Sequence, residues 1–272
     1  MSYDEKPKKT IAEMVSADKE TANKVKRRAI LLMGVPGTGK TNSLKTIPLD
    51  SKGLLLDFDN KWDCLKTEID EGRIDRIDLT YSPENYKDTY SKVKDVMLDL
   101  LSLRGIYQYA MADSLTTLYA LMERKSFDIV GGDRLLYDHF NWADKEIWDL
   151  LYRLIGTVDN LILTAHLDIR GDSDATMKVV PLARKALSNS IPGRFKEVYH
   201  ASTIGDGEDC CYIWETRPHG MYGCSTLISG LPFQVPNNFD LLLSTDWEKT
   251  PKVDDAIVAY EKKTGRKVTK WK

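Results

Sequence analysis

Residues 29–42 read Ala29-Ile30-Leu31-Leu32-Met33-Gly34-Val35-Pro36-Gly37-Thr38-Gly39-Lys40-Thr41-Asn42, an apolar run that opens into a glycine-rich turn. A continuous apolar run of this length suits a strand buried on both faces of a parallel sheet. The turn has the spacing Gly-x-x-x-x-Gly-Lys-Thr of a P-loop. Its glycines let backbone N–H groups converge on phosphate oxygens, and the helix that follows points its positive N-terminus at them. Gly34, Val35, Pro36, Gly37, Thr38, Gly39, Lys40, Thr41 and Asn42 are therefore the expected nucleotide-binding residues, with Lys40 on the outer phosphates and Thr41 on magnesium. Asn42 begins a short helix predicted to end by Thr46, before Pro48.

Further strands are predicted over 53–59, 74–80, 106–112 and 160–166, with helical patterns between several of them, which implies an α/β fold with a mostly parallel central sheet. The clearest helix spans 83–103, with Ser82 as N-cap, Pro83 in the first position, and Tyr86, Tyr90, Val93, Met97 and Leu101 as its apolar face. A second spans 142–158. Beyond Ile169 the pattern changes to short strands near 197–203, 210–216 and 225–228 with glycine-bearing turns, read as antiparallel hairpins that extend the sheet. Ahead of the first strand, apolar residues at helical spacing over 10–28 predict a helical extension, with Thr10 and Glu13 spaced as a capping box. The expected organisation is an extension over 1–28, a core over 29–247, and a C-terminal helix with a basic tail over 248–272.

Magnesium at a P-loop also takes a carboxylate from the end of a neighbouring strand, and Tyr109-Ala110-Met111-Ala112-Asp113 is an apolar run closed by an acid. Asp113 is followed by Ser114, so a second acid beside it is missing and the group that activates water must come from elsewhere. Leu56-Asp57-Phe58-Asp59 ends the strand after the P-loop helix, and alternation puts Asp57 and Asp59 on one face. Asp59, nearer the edge where α/β sheets bind ligands, is the candidate base, with Asp57 as its substitute. His166 ends the strand that runs through Leu161-Ile162-Leu163-Thr164-Ala165 and is the candidate sensor of the terminal phosphate. Asn60-Lys61-Trp62-Asp63 spells the guanine-reading motif of GTPases but precedes Asp113 instead of following it, so it is read as a coincidence and ATP is preferred.

The chain has 272 residues, of which 42% are hydrophobic and 29% charged, enough for one large core or two small ones. A net charge of −2 gives no whole-chain attraction to nucleic acid, so any such binding must use local basic patches. One such patch is the segment 262–272, with Lys262, Lys263, Arg266, Lys267, Lys270 and Trp271 and no acid. The four cysteines lack the CxxC spacing of a zinc or redox site and read as reduced thiols. No run is apolar enough for a membrane span and the start has no leader pattern, so a cytoplasmic location is expected.

The order of P-loop, acid after the second strand, Asp113-Ser114-Leu115, and a late strand ending Thr164-Ala165-His166 resembles the RecA-like core. Within it, the chain is similar to short phage-encoded RecA-like ATPases, including single-strand annealing proteins. The resemblance covers residues 29–244. It implies ATP hydrolysis with magnesium, a homo-oligomer in ring or filament form, single-stranded DNA as partner, a possible replication or recombination protein partner, and a host cytoplasm. It also implies a DNA-binding loop after the sensor strand, which falls on 168–190 with Arg170, Lys178, Arg184 and Lys185. Arg184 and Lys185 are in addition the candidates for a cation delivered to a neighbouring subunit's site. The alternative is a regulatory ATP switch acting on a protein partner.

Overall fold

The computed structural model describes residues 28–171, 178–205 and 207–268. The helical extension expected over 1–28 lies outside them, apart from Arg28, which opens the first strand. That strand, β1 (Arg28–Met33), packs Ala29, Leu31 and Met33 into one core and Ile30 and Leu32 into another, so the unbroken apolar run reflects burial on both faces. Then come α1 (Lys40–Ser43), β2 (Gly53–Asp57), α2 (Lys66–Asp70), β3 (Ile74–Asp78), α3 (Tyr86–Asp99), β4 (Tyr109–Asp113), α4 (Leu115–Val130), α5 (Tyr137–Thr157) and β5 (Asn160–Ala165). The chain continues through β6 (Leu167–Arg170), β7 (Lys178–Pro181), α6 (Lys185–Ser190), β8 (Glu197–Ile204), β9 (Cys211–Glu215), β10 (Gln234–Pro236), α7 (Phe239–Ser244) and α8 (Val253–Thr264).

The sheet order is β10-β9-β8-β1-β5-β4-β2-β3, with β8 through β3 parallel and β9 and β10 antiparallel at one edge. This is the expected α/β architecture. β1 lies between β5 and β8, with Leu31 opposite both Leu163 and Val198, so its backbone groups are satisfied on both edges where no water reaches. β6 and β7 form a separate two-stranded ribbon. On one face of the sheet, α3, α4 and α5 contribute Val93, Met97, Leu118, Met122, Ile147 and Leu154. On the other, Leu44 and Ile47 behind α1 pack with Trp214, Phe239, Trp247 and Tyr260, so α8 is part of this second core. No helix among the described residues is long and apolar enough to cross a membrane.

Several boundaries differ from the sequence reading. Ser82 and Asn85 exchange hydrogen bonds, Ser82 N–H to Asn85 Oδ1 at 2.7 Å and Asn85 N–H to Ser82 Oγ at 3.3 Å, in a turn that delays the start of α3 to Tyr86. Leu101 is 67% exposed while Leu100 is fully buried, because α3 has ended by then and the chain no longer follows helical periodicity. The predicted strand at 106–112 begins only at Tyr109, since Lys52 N–H donates to the Gln108 side chain and fixes the turn before it. Helix α5 begins at Tyr137, five residues ahead of the expected Trp142, with His139 accepting from Leu136 N–H. Ser225 makes only an isolated bridge with Val198, and the outer strand is β10, whose Pro236 suits an edge.

The neighbouring leucines give a direct check. Leu100→Ala should cost about 2–5 kcal/mol in chemical denaturation, while Leu101→Ala should stay within about 0.5 kcal/mol of wild type.

Candidate functional site

At the carboxyl edge of the sheet the chain leaves β1 at Met33 and turns through the P-loop. A Cβ on Gly34 would stand 2.6 Å from Thr38 Oγ1 and 2.7 Å from the Ala201 carbonyl oxygen of β8, so a side chain cannot fit. Gly39 has φ of 74° and would drive a Cβ to 2.9 Å from the Tyr212 ring on β9. The loop is therefore shaped by the hairpin beside it as much as by its own glycines. Lys40 is buried, and its ammonium donates to the Gly34 and Val35 carbonyls at 2.7 and 2.8 Å. Burial lowers its pKa to about 8 against the opposing pull of Asp113.

Thr41 Oγ1 donates to Asp113 Oδ2 at 2.7 Å, and Thr164, near the end of β5, donates to the other carboxylate oxygen. Asp113 is 2% exposed, and burial raises its pKa in spite of those two hydrogen bonds. A buried carboxylate touching the P-loop hydroxyl suits magnesium, which takes one or two protein ligands and completes its shell with phosphate and water. Among the described residues no cluster of three His, Cys, Asp or Glu side chains could form a closed metal cage. The residues present fit magnesium and not a structural zinc.

Asp59 lies across the cleft from Lys40. Its Oδ1 accepts from Ser114 Oγ at 3.1 Å and from Thr117, and its Oδ2 accepts from Lys61 Nζ at 3.0 Å. Burial pushes its pKa up, but the hydrogen bonds from Thr117, Lys61 and Ser114 outweigh it and the carboxyl sits below its ordinary value. The His166 Nε2 atom is 3.8 Å from Asp59 Oδ2, and burial followed by the charges of Lys40 and Lys61 lowers the imidazole pKa, so the ring is neutral at pH 7. Asp57 has a different setting. β2 ends there, and its buried carboxylate is held by Arg76 Nε at 2.7 Å, with the Arg76 guanidinium lying over the Trp62 ring.

These groups line one cleft of about 530 Å³, formed by Pro36, Gly37, Gly39, Lys40, Thr41, Asn42, Asp59, Lys61, Cys64, Asp113, Ser114, His166 and Tyr212. The P-loop, Asp113, Asp59 and His166 were anticipated. Thr164, Thr117, Lys61 and Tyr212 were not, because their roles arise from strand neighbours and not from spacing. Lys61 was in view only inside the Asn60-Lys61-Trp62-Asp63 coincidence.

The other candidates that are described do not line the cleft. Arg184 pairs with Asp144 at 3.3 Å and lies over Phe140 at 4.6 Å and Tyr137 at 5.6 Å, while Lys185 is exposed. Arg170 pairs with Asp168 at 2.6 Å and donates to the Ala183 carbonyl. Arg266 is bonded to Asp240 at 2.9 Å and Lys267 to Glu261 at 2.9 Å, while Lys262 and Lys263 are exposed in the last turn of α8, where positive charge complements the helix dipole. The Lys178 side chain, Lys270 and Trp271 lie outside the described residues. The sequence model of a family described as an AAA domain matches residues 26–222, well over half of the chain. No curated protein matches it.

Two substitutions test the division of labour among the carboxylates. Asp113 binds its proton more tightly folded than unfolded, so its ionisation costs stability as pH rises from the ordinary carboxylate value of about 4 toward its raised folded value, and the cost persists above it. Asp113→Asn should therefore raise the melting temperature of the nucleotide-free protein at pH 7 to 8 while removing the dependence of ATP binding on magnesium. Asp57→Ala removes the Arg76 Nε bond while leaving Arg76 its Asp78 partner at 3.4 Å, and should cost about 1.5–3 kcal/mol in denaturation.

Proposed function

The chain belongs to the AAA domain family of P-loop ATPases, and on that premise we propose that it hydrolyses ATP with magnesium as a RecA-like protein acting in DNA recombination, single-strand annealing or repair, as an oligomer on single-stranded DNA. The observation that carries the ATPase reading is the Thr41 to Asp113 hydrogen bond of 2.7 Å, with Asp59 and His166 facing the same cleft. The RecA-like part is supported by the order along the chain, since the P-loop, Asp59, Asp113-Ser114 and Thr164-Ala165-His166 all meet at one sheet edge. A phage origin follows only from that resemblance.

In this scheme the loop's backbone N–H groups and the Lys40 ammonium hold the phosphates, giving up the Gly34 and Val35 carbonyls that Lys40 otherwise bonds. Thr41 and Asp113 would hold magnesium, and bound there it would supply positive charge to the outer phosphate oxygens. Asp59, ionised at neutral pH, accepts the proton of the attacking water. The water oxygen bonds to the terminal phosphorus, the bridging P–O bond breaks, and its electron pair leaves with ADP. Neutral His166, close to Asp59, offers a ring nitrogen to the terminal phosphate or to that water.

A regulatory ATP switch acting on a protein partner is the second reading, and one observation favours it. Arg170, Arg184, Arg266 and Lys267, all candidates for DNA contact, are paired with carboxylates of their own chain. The two readings separate in an ATPase assay with and without single-stranded DNA, run beside sizing in each nucleotide state. Stimulation by DNA with assembly is expected under the first reading, and activity indifferent to DNA overturns it. In the same assay Lys40→Ala should lower turnover by about a hundredfold or more with the fold intact, and unchanged turnover overturns the ATPase reading itself.

A further inference from the structure

Among the described residues, Lys61 is the one charged side chain lining the cleft that the scheme above does not use. Its ammonium lies 3.0 Å from Asp59 Oδ2 and its side chain is 50% exposed, so the pair is open to the cleft. The backbone beneath it is pinned. Lys61 N–H donates to Asp57 Oδ1 at 3.4 Å, Cys64 Sγ donates to the Lys61 carbonyl at 3.4 Å, and the next residue, Trp62, is covered by Arg76, which also bonds Asn60 at 3.2 Å. The turn that sets this geometry puts Asn60 at φ of 53°. A partly buried ion pair between Asp57 and Arg76 thus fixes the root of Lys61, while its four-carbon stem leaves the head free to move.

An acid meant to take a proton from water is poorly served by a permanent ammonium on the oxygen that must accept it. With the cleft filled, a triphosphate's terminal group brings several negative charges to the same space and competes for that ammonium more strongly than one carboxylate. We propose that Lys61 is a catalytic cation acting in cis: on ATP binding its ammonium moves from Asp59 to the terminal phosphate, neutralising that group and freeing Asp59 to take the proton of the attacking water. This rests on the ATPase reading above. The bonds made and broken are those already described, and Lys61 stays protonated throughout. ADP lacks the terminal phosphate and leaves the Lys61 to Asp59 pair closed, so the residue discriminates between substrate and product.

The experiment measures affinity for ADP and for a non-hydrolysable ATP analogue, with magnesium, in wild type, Lys61→Met, Lys61→Arg and Lys40→Ala, each checked for folding by thermal melting. Lys61→Met should weaken the analogue about tenfold or more and ADP less than about twofold, with turnover at saturating ATP down at least about tenfold; Lys61→Arg should restore most of both. Equal weakening of the two nucleotides, or of neither, overturns the proposal. Lost turnover in Lys61→Met with an unchanged ratio of the two affinities also overturns it, since Lys61 then acts only by positioning Asp59. If Lys40→Ala binds both nucleotides as wild type does, the P-loop assignment has failed and the role of Lys61 falls with it. Loss of binding in Lys40→Ala beside an unaltered Lys61→Met refutes Lys61 alone.

Discussion

The constraint on which the rest of the structure depends is the burial of one carboxylate. Asp113 ends an entirely buried strand and is 2% exposed, and among the described residues it has two hydroxyl donors and no cation within bonding distance. Burying a charge in this way is costly, and its raised pKa expresses that cost. The surroundings compensate only in part, through Thr41 and Thr164. On the ATPase reading, what remains uncompensated is what would draw a divalent cation to this carboxylate. Placing that acid on β4 also fixes its distance from the P-loop, because β5 lies between β4 and β1.

Asp57 and Asp59 show how neighbouring acids are given separate tasks. The sequence put them on one face and favoured Asp59 only as the one nearer the carboxyl edge. Register pairs Asp57 with Asp113 in the sheet and leaves its carboxylate to Arg76, whereas Asp59 lies past the last pair, where hydroxyls from the start of α4 reach it. One becomes a structural ion and the other stays in the cleft. The difference is two residues of chain and the end of a ladder.

Much of this was legible in the sequence because its causes are local. Residues 29 to 33 are apolar without a break since both faces of β1 are covered; the P-loop is a contiguous motif; and Asp113 announces itself as an acid closing an apolar run. What was not legible depends on distant chain. Thr164 matters only because β5 runs beside β4, and Tyr212 only because β9 lies over Gly39. The same holds for smaller errors. Leu101 fits a helical stripe on paper, but the helix stops first. Residues 225–228 have strand-like composition, yet the antiparallel edge they were expected to form is taken by β10.

The position of β1 also bears on how the chain is made. It is the earliest described strand, and both of its neighbours are late, with β5 beginning at Asn160 and β8 at Glu197. A ribosome releasing the chain in order delivers the P-loop long before either edge of its strand can pair. Contacts this far apart in sequence close slowly and leave the backbone of this apolar strand unpaired meanwhile. A nascent chain that has not yet emerged as far as β8 lacks the Ala201 carbonyl that walls Gly34 and the Tyr212 ring that walls Gly39. Until β8 and β9 have emerged, the walls against Gly34 and Gly39 are missing, so the shape of the P-loop waits on chain that follows it by more than 160 residues.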